Sequence, residues 1–207
     1  MRKGFAMRRY LALAGLLLAA PAAAQDRPQL TPTRDVAVTY RQTGANAPQG
    51  MPPIVIAWNA ASGLMRSEMA GIGWSVVDMR AGRGFLVMEQ MRTIMDMPAN
   101  QLAVLPGQSP KASFRREGTA TVAGLPCTIW FVQDGPSQGR ACITADGVTL
   151  RADGTHQGQS GGVEATQVRF APQDPARFQR PQGYQAMQGI PGMPVPGLPP
   201  AARPPGR

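Results

Sequence analysis

The chain has 207 residues and a formal net charge of +9. That length suits one domain with flanking segments rather than an assembly of domains. The positive charge is spread as single arginines (Arg41, Arg66, Arg80, Arg92, Arg140, Arg151) without interleaved aromatics, so the clustered basic footprint of a nucleic-acid binder is absent.

The first 24 residues read as a secretory signal. Arg2, Lys3, Arg8 and Arg9 form a basic start, residues 11–20 are an apolar run too short to span a bilayer, and Pro21 precedes the small residues Ala22, Ala23 and Ala24. Cleavage is expected after Ala24, which makes the protein periplasmic or secreted and leaves no transmembrane segment. Residues 25–34 form a polar, proline-broken leader with little to bury, expected to be flexible.

A single β-rich domain is expected over residues 35–187. "DVAVTY" alternates Val36, Val38 and Tyr40 on one face, the period of a half-buried strand. "IVIAWNA", "LMRSEMA" and "WSVVDMR" follow, separated by "ASG", "GIG" and "AGRG", which is the spacing of an antiparallel meander. Residues 84–105 are ambiguous. Met88, Met91 and Met95 lie at helical spacing, whereas Phe85, Leu86, Val87, Thr93 and Ile94 favour strands. A hairpin turning near Glu89 and Gln90 is the preferred reading, with a short helix at residues 101–105.

"CTIWFV" and "RACIT" are strand-like and flank the turn-rich "QDGPSQG". A hairpin centred on Asp134 and Gly135 sets Cys127 directly opposite Cys142, Ile129 opposite Arg140 and Phe131 opposite Gln138. In an exported chain this lone pair of cysteines is expected to form a disulfide. "GVTLRA" and "VEATQVRF" are further strands. Residues 188–207 are rich in proline and glycine and poor in large apolar groups, the composition of a disordered tail.

Catalytic chemistry is sparse. "GQSGG" at residues 158–162 satisfies the G-x-S-x-G pattern, and His156, the chain's single histidine, lies four residues before Ser160. A hydrolase nucleophile, however, sits on a strand-to-helix turn. Here the motif lies between two strands, so a glycine-rich hairpin loop is expected. The carboxylates Glu68, Asp78, Asp96 and Glu117 alternate with arginines, as ordinary ion pairs do. No catalytic residue, resident metal or cofactor is expected. Trp58, Trp74, Phe85, Met88 and Trp130 are candidates to line an apolar site, although the same residues would serve as an ordinary core. The methionines Met65, Met69, Met79, Met88, Met91, Met95 and Met97 admit a third use, because soft thioethers bind Cu(I).

"WSVVDMRAGRGFLVM", "TVAGLPCTIW", "ACITADGVTLRA" and "VRFAPQDPARFQRPQGYQAM" together resemble a family of uncharacterised exported alphaproteobacterial proteins. That family belongs to a broader domain-of-unknown-function group distantly similar to lipoprotein carriers. The resemblance implies a curved antiparallel sheet or open half-barrel, with one or two short helices and a helix in its concave side. The function expected from these readings is non-enzymatic binding of an apolar or lipid-like envelope ligand. The alternatives are a structural or interaction protein of the envelope without a small ligand and, behind it, a methionine-rich copper binder.

Overall fold

The computed structural model describes residues 27–44, 50–97, 111–156 and 158–187. The signal segment, residues 101–105 and the tail from 188 lie outside these.

Twelve strands form one sheet: β1 (Val36–Thr43), β2 (Ile54–Asn59), β3 (Leu64–Met69), β4 (Gly73–Asp78), β5 (Arg83–Met88), β6 (Thr93–Met97), β7 (Ser113–Val122), β8 (Leu125–Asp134), β9 (Ser137–Ile143), β10 (Thr149–His156), β11 (Gln159–Arg169) and β12 (Gln185–Met187). The order across the sheet is β12-β6-β5-β4-β3-β2-β1-β11-β10-β9-β8-β7, with β12 and β7 as its two edges. All pairings are antiparallel except β12 on β6. The helical content of the described residues is one 3-10 turn, Pro175–Phe178, capped by the Asp174 carboxylate. The expected mainly β, open antiparallel sheet is therefore what the chain forms, and the ambiguous methionine segment is the β5–β6 hairpin.

The first meander has a simple cause. From β2 to β6 each strand is five or six residues long and alternates its faces, and short turns at Gly63, Gly71 and Gly82 supply positive φ angles of 71°, 77° and 61°. The β5–β6 turn has no glycine. Arg92 takes that position at φ 48°, held by its side chain on the Gly183 carbonyl and by its own carbonyl accepting from the Gln185 amide.

The sheet is curled. β7 and β11 touch although three strands separate them in the ladder, a separation of roughly 19 Å in a flat sheet at about 4.8 Å per strand. Curling builds the larger core: Val36, Val38, Tyr40 and Trp58 pack with Val122, Cys127, Cys142, Val148 and Leu150. Bulges between Thr39 and Tyr40, between Thr149 and Arg151, and between Arg116 and Gly118 bend the strands involved.

A smaller core lies on the opposite face of the first meander. Ala57, Val76, Phe85, Val87 and Ile94 are covered there by Phe178 and Tyr184. These two belong to a strap that leaves β11, crosses that face and ends as β12 on the far side of the sheet. Asp35 accepts from the amides of Ala60 and Gln173, pinning the start of the strap. Farther along, Arg66 donates to the Arg177 carbonyl, and both arginines bond Glu68. Arg180 pairs with Asp96.

The disulfide joins Cys127 to Cys142, as expected from the sequence. The hairpin register does not follow the expectation and is corrected by two residues: Ile129 faces Cys142, Phe131 faces Arg140 and Gln133 faces Gln138. Pro136 is the reason. A ring locked near φ −65° suits the second central position of a tight turn after a glycine with positive φ. The turn therefore centres on Gly135 (φ 57°) and Pro136, and the bridge runs diagonally between the strands.

Candidate functional site: a glycine-floored apolar cavity

The second meander places one residue from each of five strands in a continuous cross-strand row: Phe114 faces Val132, Val132 faces Gly139, Gly139 faces Gly154, and Gly154 faces Gly161. The neighbouring row runs Trp130, Ala141, Ala152, Val163. One face of β9, β10 and β11 is thus surfaced by glycine and alanine, while larger side chains stand on both sides. The result is a cavity of about 520 Å³ walled by Phe114, Val132, Ile143 and Val163, with Leu30 contributed by the leader. That volume falls within the usual range for small-molecule sites, roughly 300–1,000 Å³.

The glycines of the floor do two different things. A Cβ on Gly139 would lie 2.1 Å from the Asp153 carbonyl oxygen, so close strand approach demands glycine there. A Cβ on Gly161 would meet nothing within 4 Å. The fold does not need glycine at 161; the open volume does.

The leader segment that supplies Leu30 is tied down. Arg34 bonds Asp146 at 2.8 Å, and the Thr33 amide donates to the Asp146 carbonyl. Burial alone would raise the Asp146 carboxyl, but hydrogen bonds led by that from Arg34 outweigh it and hold the group below the usual carboxylate range. Tyr40, beneath the site, donates from its hydroxyl to the Thr149 carbonyl at 2.6 Å, and burial pushes that hydroxyl far above its ordinary value.

The polar groups that suggested chemistry in the sequence are engaged structurally. Ser160 is a strand residue of β11 facing Thr155 of β10, and the position of His156 in the ladder is opposite Gln159. The connection is strand to strand, as expected, but β10 runs to His156 and β11 starts at Gln159, so most of the "GQSGG" motif belongs to the strand and to the cavity wall. Glu68 is held by Arg66 and Arg177, Glu117 by Arg115 and Arg140, and Asp96 by Arg180. Asp78 caps its turn by accepting from the amides of Arg80 and Ala81. Among the described residues no group of three or more His, Cys, Asp and Glu side chains could hold a metal ion.

The five aromatic and methionine candidates do not converge. Trp58 is in the larger core. Trp74 and Phe85 meet edge to face, centroids 5.7 Å apart, in the smaller core, with Arg66 stacked 3.5 Å over Trp74. Met88 is on the other face of β5. Trp130 faces Ala141 and so stands next to the cavity floor. The lining residues that sequence reasoning passed over, Phe114, Val132, Ile143, Val163 and the glycine row, had one visible signal. Gly139, Gly154 and Gly161 interrupt strand-like runs, which marks a bulge or a close approach.

No protein-family model matches the sequence, and no curated protein matches it. Similarity appears at the level of solved structures. An uncharacterized conserved protein from Thermus thermophilus superposes with a TM-score of 0.53 at 11% identity, covering 76% of this chain and 91% of that one. MucB superposes with a TM-score of 0.50 at 16% identity over 76% of this chain, which spans 61% of the MucB chain. The Pseudomonas aeruginosa MucA/MucB complex gives a TM-score of 0.50 at 16% identity, with coverages of 74% and 58%. At these identities the likeness establishes a shared fold. No helix among the described residues is long and apolar enough to cross a membrane.

Proposed function

We propose that this protein is a non-enzymatic envelope protein that binds an apolar or lipid-like ligand in the cavity between Leu30, Phe114 and Val163. The observation that carries this reading is Gly161. It leaves volume open in a wall that would tolerate a side chain, beside a lining whose exposed surface is mainly apolar although Asp134, Arg140 and Asp153 also border it. Binding would be driven by removing apolar ligand surface from water, with the polar rim of Gln138, Gln159 and Ser160 orienting whatever stays solvated. The engagement of the described carboxylates by arginines or turn amides supports a binding rather than a catalytic role. MucB, which shares the fold, is seen with a protein partner, MucA; an envelope interaction protein without a small ligand is therefore the competing reading.

The two separate in one experiment. Protein purified from its native envelope is analysed by native mass spectrometry, and binding of a fluorescent fatty-acid probe is measured for wild type and Gly161→Leu. A co-purifying apolar molecule, with probe binding weakened at least tenfold by Gly161→Leu, supports the proposal. No co-purifying molecule, together with probe binding weaker than micromolar or indifferent to the substitution, overturns it in favour of the interaction protein.

A further inference from the structure

The segment that leads into β1 stands apart from the sheet it joins. Residues 27–34 form no strand, so no ladder of backbone bonds fixes them. None of them is fully buried, whereas Val36 and Val38 just beyond are 2% and 3% exposed. Asp35 marks the boundary, anchored by the amides of Ala60 and Gln173 that donate to its carboxylate. Outward from that anchor the segment runs from the β9–β10 turn past the cavity to β7. Arg34 stacks 3.7 Å over the Phe170 ring and bonds Asp146, whose carbonyl also takes the Thr33 amide. The Thr31 carbonyl rests on Gly147, where a Cβ would lie 2.3 Å from its oxygen. Leu30 borders the cavity, and the Arg27 guanidinium lies 5.0 Å over the ring of Phe114, itself part of the cavity wall.

From this we infer that residues 27–34 are a hinged lid on the cavity, pivoting at Asp35 and clasped at Asp146. The seat is specific: only a glycine at 147 lets the Thr31 carbonyl approach so closely, and a side chain there would push the segment off. The hold is weak. The side chains of the Arg34–Asp146 pair are 58% and 29% exposed, and exposed ion pairs of this kind contribute little. A segment without a ladder and with few buried groups opens at a far lower free energy than the strands beneath it. Pro28 and Pro32 narrow the conformations of the open segment, which lessens the entropy lost when it closes. Closed, the lid sets Leu30 against the cavity and shields apolar lining from water; lifted, it exposes that lining for entry and release. The inference rests on the ligand reading for what the lid admits, whereas the lid's own motion is measurable without a ligand.

Both native cysteines are joined in the disulfide, so Leu30→Cys carries the chain's only thiol and reports on the lid. Its rate of maleimide labelling is compared with that of Ile72→Cys, a site 52% exposed in the β3–β4 turn, and each is measured with and without Arg34→Ala. The expected result is labelling at 30 roughly tenfold slower than at 72, quickened several-fold by Arg34→Ala at 30 alone, and independent of urea below the unfolding transition, the mark of local opening. Release of the fluorescent fatty-acid probe from Arg34→Ala, followed by stopped flow, should quicken by a similar factor. A thiol at 30 that reacts as fast as at 72, that ignores Arg34→Ala, or that reacts only as the whole fold opens in urea overturns the lid, whatever the probe does. A protected, Arg34-sensitive thiol in a protein that binds no probe supports the lid and counts against the ligand reading alone.

Discussion

Replacing both Cys127 and Cys142 by alanine tests how the second meander is held. The bridge closes a loop with a sequence separation of 15, for which chain entropy in the unfolded state gives about 3 kcal/mol. Both residues are also buried in the larger core, at 5% and 4% exposure, so the substitution leaves small voids that add to the loss rather than offset it. Against a total stability of about 5–15 kcal/mol the variant remains folded. With a urea m-value of about 2 kcal/mol/M, its unfolding midpoint falls by about 1.5 M. Equilibrium urea unfolding of the oxidised wild type and the double variant measures this directly. A loss under about 1 kcal/mol refutes the reasoning, because it means that the β8–β9 hairpin already restricts the unfolded chain without the bridge.

Acid should weaken the fold in a defined direction. Hydrogen bonds from Arg66 and Arg177 hold the Glu68 carboxyl low despite the opposing effect of burial, Arg34 does the same for Asp146, and Arg41 with Arg151 lowers Glu164. Groups with depressed folded pKa stabilise above their unfolded values and lose that contribution as pH falls through the folded ones. The melting temperature should thus be flat with respect to these groups from pH 8 to about 5 and fall below about 4; a melting temperature that rises on acidification contradicts it. Trp58 is 7% exposed and its indole N–H has no hydrogen-bond partner among the described residues. Leaving such a donor unpaired costs about 1–3 kcal/mol, so Trp58→Phe should sit within about 1 kcal/mol of wild type instead of showing the loss usual for truncating a core aromatic. A loss above about 3 kcal/mol in chemical denaturation would mean that the N–H is satisfied by bound water.

How much of this was legible in the sequence differs by element. The strands of the first meander are plain, because each side of every turn alternates and each turn but one carries glycine. In the β5–β6 segment the helical spacing of Met88, Met91 and Met95 competes with the strand preference of Phe85, Val87 and Ile94, and burial decides: Val87 and Ile94 face each other in the smaller core, whereas Met91 is 61% exposed in the turn. The disulfide was legible, but its register was not, because the Asp134-Gly135 signal outweighed the constraint imposed by Pro136. The cavity was least legible. Its floor is a row drawn from five strands, and a single step of register in any pairing would send Phe114, Val132 or Val163 to the other face. Spacing along the chain carries no information about that alignment, and the aromatic residues that draw attention in the sequence serve the two cores.

The strand order also determines how this chain can fold. β2–β6 and β7–β11 each pair mainly with sequence neighbours inside their own meander, so both halves form from short-range contacts. The β1–β11 seam joins them along the middle of the sheet, through partners such as Ala37 with Arg169. The entropy of closing so long a loop falls largely on that seam, which makes it the slow step of assembly. The strands of the amino-terminal meander can pair early, but its smaller core closes only when the carboxyl-terminal strap lays Phe178 and Tyr184 over it and adds β12 to β6. Until the halves meet, the exposed edge of β1 is the place where another chain could add a strand and divert the product.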